Sequence, residues 1–440
     1  MFFFASFAAA RFNFRANRGD VPEEFFPQYI DHQDKSLGTF QQRYYVVDKH
    51  YKEHGPIILD IGGESDNNGA AGNGDLDEAI AKKLGAKVLT LEHRFFGKSH
   101  PFADTKVDKL KYLTVQQALD DLVYFKKWYT ENILKEKVRW MVIGGSYPGL
   151  LAAYARSLYP DEFQCAISSS GVVLASNKFE DFDRQIAISL GQSCSAVARR
   201  VRRQVDKLLD DPTTTDYVLD LFGAKGVEKE TFRFVLGEIF SIAPQYGKRG
   251  LVCGPLENTL VTGEDPMMAL AKFSREVFVP KFCDGDMAKT YANAEMKKTG
   301  NQDVGSRMWL WMTCNELAYW QVAAGRMTLR SPKIDQEFFH AQCEDVFGEM
   351  PIPDTDKFNA QYGGLAQNGT NIFYATGSQD PWTPLCVTDG EVPAGCFAHT
   401  MAGPDVGHCR DLHGDSPSDP ADVRRTRKAE IDAVVRWMNE

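Results

Sequence analysis

VIGGSYPGL, residues 142–150, sets Ser146 between glycines, after an apolar run and before a stretch of helical character. RWMVIGGS reads as a strand and GLLAAYARSLYP as a helix. A serine at the tip of such a strand-to-helix turn presents its hydroxyl to a ligand, and the usual pattern is G-x-S-x-G. Gly144 supplies the first glycine, Pro148 stands where the second belongs, and Gly149 follows one residue late. Pro148 falls in the first helical turn, where a missing N–H has no intrahelical bond to lose. The substitution therefore leaves Ser146 a nucleophile candidate. The plainer reading is a serine in a glycine-rich turn, and the groups downstream must decide.

Outward from this turn the chain alternates. TFQQRYYVVD and PIILDIGG, within residues 38–64, read as strands, and GDLDEAIAKKLG as a helix ending at Gly85. AKVLTLEHR is a strand, and TVQQALDDLVYFKKWYTENIL a long amphipathic helix with Thr114 as its N-cap. EFQCAISSSG is a strand again. Alternation of this kind builds a mainly parallel sheet covered on both faces. It stops near Ala175. Residues 176–335 are mostly helical in pattern, with SAVARRVRRQVDKLLDD and SRMWLWMTCNELAYWQVAA, and strands resume at TNIFYATGSQD and CFAHTMAG before a last helix, DPADVRRTRKAEIDAVVRWMNE. The expected organisation is an α/β domain in two parts, 1–175 and 336–440, interrupted by a helical cap at 176–335.

A serine needs a base to take its proton and an acid to orient the base. On an α/β-hydrolase sheet these follow in the order Ser, Asp or Glu, His, at the carboxyl ends of strands. Asp380 ends the strand NIFYATGSQD and precedes Pro381, and His408 lies in PDVGHCRDL, after a strand and before the last helix. Alone, each is an ordinary turn aspartate or loop histidine; in order with Ser146 they form a candidate triad. His399 and His413 rank below His408, because one sits inside a strand and the other deeper in the loop. Asp405 and Asp411 rank below Asp380, because they flank the histidine instead of ending a strand. The Tyr147 backbone N–H is the expected first oxyanion donor, and Gly63 or Glu64 of IGGES, residues 61–65, the second.

The 440 residues are 43% apolar with a net charge of −10, which argues against nucleic acid as the main partner. No run approaches the length of a membrane span. The opening MFFFASFAAARF reads either as a short secretion signal without a basic lead or as an ordinary terminus. None of the nine cysteines forms a C-x-x-C pair, so no metal is expected, and acyl transfer at a serine needs no cofactor. Several cysteines sit in loop-like contexts, Cys386 and Cys396 around a Gly/Pro turn, so some disulfides and an oxidising compartment fit. The odd count leaves at least one thiol. The sequon Asn368-Gly369-Thr370 agrees with secretion but arises often by chance.

With these residues in place, the chain resembles the family of prolylcarboxypeptidase, dipeptidyl peptidase II, thymus-specific serine protease and the fungal acid prolyl endopeptidases. The resemblance runs through FFPQYIDHQD, TFQQRYYVVDKHY, GPIILDIGGES, LEHRFFGKS, GGSYPGLLAAYARSLYP, WLWMTCNELAYWQ, DPWTP and GHCRDL, nearly the whole chain. It implies an α/β-hydrolase fold with a large helical cap, a Ser146–Asp380–His408 triad, and cleavage on the carboxyl side of proline, often in acidic compartments. By matched position it implies Leu150 and Trp382 as walls of the pocket for the residue before the scissile bond. Trp311, with Trp309 and Trp320, is the cap's candidate contribution, and packing in the core is as ordinary a role for each. The implied location is lysosomal, vacuolar or secreted, and a homodimer is allowed. Pro148 replaces the family's usual small residue, and Gln379 stands beside the acid where a small or apolar residue is usual. GHC is closer to the fungal branch than to the animal lysosomal enzymes. These departures leave the choice between exopeptidase and endopeptidase open. The rival readings are an esterase or lipase on the same fold and a non-catalytic binding homologue.

Overall fold

Ile57–Ile61, Trp140–Gly145 and Ile372–Gly377 carry almost no polar alternation, and in the computed structural model they are central strands covered on both sides. The structure describes residues 21–67, 69–300, 305–325, 328–390 and 392–440, so the apolar N-terminal run read as a signal segment lies outside it. Among the described residues, eight strands form one sheet: β1 (Glu24–Tyr29), β2 (Thr39–Val47), β3 (Ile57–Ile61), β4 (Lys87–Leu91), β5 (Trp140–Gly145), β6 (Cys165–Ser169), β7 (Ile372–Gly377) and β8 (Phe397–Met401). Their order is β1-β2-β4-β3-β5-β6-β7-β8. β2 runs antiparallel to both neighbours, and the other pairings, from β4 to β8, are parallel. This is an α/β-hydrolase sheet.

The period of two along each strand splits the core. Ile58, Val88, Met141, Ile143, Ile167 and Phe373 face one layer, with α1 (Leu76–Leu84) and the C-terminal helix Ala421–Asn439. Leu59, Leu89, Trp140 and Val142 face the other, with α2 (Val115–Tyr129) and α3 (Tyr147–Leu158). Local signals set the helix ends. The Asp75 carboxylate accepts from Glu78 N–H and Gly85 closes α1 in the left-handed conformation, while the Thr114 hydroxyl caps α2 through Gln117 N–H.

Sequence patterning missed β1, because Pro27 interrupts it. The strand lies at the sheet edge, where a missing N–H costs no ladder bond. Between β6 and β7 the chain is helical, and this insertion covers the carboxyl edge of the sheet. Its elements include α4 (Glu180–Asp210, kinked at Gly191), α5 (Lys229–Gln245), α6 (Arg249–Thr262) and α7 (Gly305–Met312). Helices continue to Tyr362 before β7 begins. Disulfides join Cys194 to Cys253 and Cys314 to Cys343, and the other five cysteines remain thiols, Cys386 and Cys396 among them. No helix of the described residues is long and apolar enough to cross a membrane.

Candidate active site

Ser146 stands between the end of β5 and the start of α3 at φ 64°, ψ −128°, a conformation costly for a residue with a side chain. Close backbone packing enforces it. A Cβ on Gly144 would lie 2.2 Å from the Pro148 carbonyl oxygen, and one on Gly149 would lie 2.9 Å from both the Gly171 Cα and the Ser169 oxygen. The Ser146 N–H donates to Ser169 O, at the end of β6, at 2.9 Å. Gly149 is thus the glycine the turn requires. Pro148 fills a different place: its ring abuts Gly63, where a Cβ would approach Cγ to 2.8 Å. That contact lays the IGGES loop against the first turn of α3, beside the Tyr147 backbone.

Asp380 follows β7 and His408 follows β8, at the same carboxyl edge. Both side chains are fully buried, and His408 Nδ1 donates to Asp380 Oδ2 at 2.8 Å. The second carboxylate oxygen, Oδ1, accepts the Trp382 N–H at 3.0 Å, which fixes the group. Burial opposes a charged imidazole at His408, but the Asp380 carboxylate and, after it, Cys409 outweigh burial and hold the histidine well above its ordinary pKa. Nε2, the nitrogen a nucleophile would address, is buried and makes no hydrogen bond among the described residues. Next to it, the Cys409 N–H donates to Ser170 Oγ at 2.9 Å, and Cys409 Sγ packs where a Gly145 Cβ would sit. The base turn is thereby seated on the strand ends that flank Ser146. His399 lies in β8, turned to Asp422 at 3.1 Å, and Asp411 takes the Ser169 hydroxyl at 2.7 Å, both away from the Asp380–His408 pair.

The layer behind the site was not singled out residue by residue in the sequence, although LEHRFFGKS marks it. Burial lowers His93 to about 4, so its ring is neutral. Its Nδ1 donates to Arg94 O at 2.7 Å, which makes Nε2 the acceptor for the Tyr147 hydroxyl at 3.0 Å. Glu92 accepts the Asn67 N–H at 3.0 Å and so anchors the loop that carries Gly63 and Glu64. Arg94 grips both oxygens of Asp121, at 2.7 and 2.5 Å. The visible signal was a cluster of ionisable residues directly after an apolar strand.

The candidate pocket residues separate. Leu150 is buried one turn beyond Ser146, whose carbonyl accepts its N–H at 3.0 Å. The Trp382 ring lies 6.5 Å from His408 and within 5.7 Å of Phe179, Phe182 and Tyr319. Trp309 continues this wall, 6.2 Å from Tyr319 and 5.5 Å from Tyr147. Trp311 points to Phe347 at 5.3 Å and Trp320 stacks on Phe339 at 5.8 Å, outside that chain of rings. Glu64 is buried where its charge acts on the phenols of Tyr147, Tyr246 and Tyr319.

A family model described as Serine carboxypeptidase S28 matches residues 28–242 and 252–430. The chain is 30% identical to the probable serine protease EDA2 of Arabidopsis thaliana, over 95% of this chain and 89% of that protein. It is 28% identical to the thymus-specific serine protease of Mus musculus, over 91% of this chain and 84% of that protein. It is 26% identical to a probable extracellular serine carboxypeptidase of Arthroderma benhamiae (strain ATCC MYA-4681 / CBS 112371), over 97% of this chain and 68% of that protein. With a match of this extent, the chain belongs to the serine carboxypeptidase S28 family of serine peptidases.

Proposed function

We propose that this serine peptidase cleaves peptides on the carboxyl side of proline through an acyl-enzyme. Ser146 attacks the scissile carbonyl carbon, and its proton passes to His408 Nε2. The imidazolium then gives that proton to the leaving amine, and water repeats the sequence on the acyl ester. Asp380 holds the ring with Nδ1 protonated. The Tyr147 N–H and an N–H of Gly63 or Glu64 face the oxyanion. The observation that carries this reading is the buried 2.8 Å Asp380–His408 pair at the sheet edge that bears the strained Ser146.

Support for proline comes from the buried apolar and aromatic side chains next to His408 and at the start of α3. Leu150, Trp382 and Tyr319 offer aliphatic and aromatic faces that suit a pyrrolidine ring. Residues 176–335 are read as a cap that limits which peptides enter, carried by 1–175 and 336–440. Two disulfides and an exposed Asn368 sequon support a secreted or lysosomal setting. Labelling with a fluorophosphonate, followed by peptide mapping, tests the nucleophile. The adduct is expected on Ser146 and nowhere else; a stable adduct on another serine would move the site.

A further inference from the structure

The cap does more than cover the site: its backbone is packed into the His408 turn, and its side chains bind the Asp380 turn. At the end of α5, the Gln245 carbonyl accepts the His408 N–H at 2.7 Å. The approach is so close that a Cβ on Gly407 would sit 2.1 Å from that oxygen and 2.7 Å from Gly247 N. Reciprocally, a Cβ on Gly247 would sit 2.2 Å from Asp405 O. The Gln245 side chain reaches the other turn, its Oε1 accepting the Trp382 indole N–H at 3.3 Å, while the Trp382 backbone N–H holds Asp380. Tyr246, next in sequence, sets its ring edge on His408 at 6.2 Å.

A second cap helix grips the acid turn independently. On α4, Gln185 Nε2 donates to Ser378 O at 3.1 Å and the Ser189 hydroxyl to Gln379 O at 3.0 Å. The two gripping segments are tied to each other just beyond these contacts. Arg249 Nε donates to Leu190 O at 2.8 Å, and Cys194 of α4 is bonded to Cys253 of α6. A closed loop of contacts results: base turn, Gln245, α6, disulfide, α4, acid turn, and back through the Asp380–His408 bond.

We propose that Gln245 is a positioning residue of the catalytic site, which holds the acid and base turns at triad distance, with the Cys194–Cys253 disulfide as its tie to the rest of the cap. The inference rests on the triad reading above. Gln245 touches no reacting atom. It sets where Asp380 and His408 stand relative to each other, and displacements of about 1 Å in such pairs cost on the order of 100-fold in rate. The ionisable groups around His408 are Asp380 and Cys409 from the catalytic turns and Tyr246 from the cap, with Glu64 beyond Tyr246.

The test compares kcat, KM and the pH profile of kcat/KM on one proline-containing peptide for the wild-type chain and four variants. Gln245→Leu removes the acceptor for Trp382. It is expected to lower kcat by roughly 10- to 100-fold at nearly unchanged KM, and to move the acid limb to lower pH as His408 loses contact with Asp380. Gln245→Glu keeps an acceptor oxygen and adds a carboxylate near the ring, so kcat is expected to recover with the limb displaced to higher pH. Cys194→Ser combined with Cys253→Ser is expected to reproduce the kcat loss of Gln245→Leu. A Gln245→Leu enzyme with wild-type kcat and limb overturns the proposal. So does an equal loss in Gln245→Leu and Gln245→Glu with neither limb moved, which would mark Gln245 as packing alone. A disulfide-free enzyme with wild-type kcat removes the tie. Ser146→Ala serves as control: if it stays active, the triad reading has failed, whatever Gln245 does.

Discussion

In the proposed mechanism Ser146 is the nucleophile, and its backbone conformation suits that role. Its φ of 64° is held by glycines that let β5, β6 and α3 meet without side chains between them. Ser146→Ala is expected to lower kcat by roughly 10⁴- to 10⁶-fold with the fold intact, read by steady-state kinetics beside circular dichroism. Asp380 acts on His408 in two ways, accepting from Nδ1 and raising the pKa of the ring, and in the proposed mechanism both serve the base. Asp380→Asn should therefore cost about 10⁴-fold in kcat. It should also move the acid limb of kcat/KM downward, because burial, the largest influence on His408, then loses the carboxylate that most opposes it. A limb that stays in place would show that the group titrating there is not His408. The order Ser146, Asp380, His408 was readable in the sequence because each follows an apolar strand. The layer of His93, Glu92 and Arg94 was visible only as a charged motif, since its partners Tyr147, Asn67 and Asp121 lie far off in the chain.

At the scale of elements, α3 depends on how tightly it starts. Gly149→Ala would push a Cβ to within 2.9 Å of the Gly171 Cα and the Ser169 oxygen. Backbone cannot yield there as a flexible side chain would, so a loss of about 1–3 kcal/mol is expected. Urea unfolding measures it, and an unchanged midpoint would mean that the turn relaxes freely. Pro148, which breaks the usual pattern, is accommodated because it packs on Gly63 and sits where a helix has no bond to lose. Parallel strands were legible as apolar runs, whereas β1 was hidden by Pro27, whose tolerance depends on an edge position no local pattern announces. Helix α7 gives a similar lesson. Trp309 and Trp311 are two residues apart and so point to opposite sides of a helix. Their sequence context is almost the same, and only the packed partners, Tyr147 for one and Phe347 for the other, tell them apart.

For the whole molecule, the helical insertion and the sheet are joined by ionisable as well as apolar contacts. Glu316, just after α7, accepts the Val115 N–H at 2.8 Å and so holds the start of α2, while burial pushes its carboxyl up to about 7. An unfolded glutamate ionises near 4.5. Between that pH and about 7 the unfolded chain loses this proton while the folded chain keeps it, so this group makes stability fall as pH rises. Glu316→Gln keeps an acceptor for Val115 and removes the titration. Its Tm is expected to decline less than the wild-type Tm between pH 4.5 and 7.5, and parallel declines would assign the effect elsewhere. The division into sheet and insertion was legible because strand alternation stops and resumes. The grip of α4 and α5 on the Asp380 and His408 turns was not, because Gln185, Ser189 and Gln245 reach backbone atoms and an indole 137 to 193 residues away in sequence, and no local pattern announces such partners. The proposed activity is cleavage after proline with Ser146 as nucleophile. Mass spectrometry of the products from a single proline-containing peptide, at pH 5 and pH 7, tests it with Ser146→Ala in parallel. The wild-type enzyme is expected to cut on the carboxyl side of proline and the variant not at all. A cut that persists in Ser146→Ala, or cleavage only at bonds that do not follow proline, would contradict the proposal.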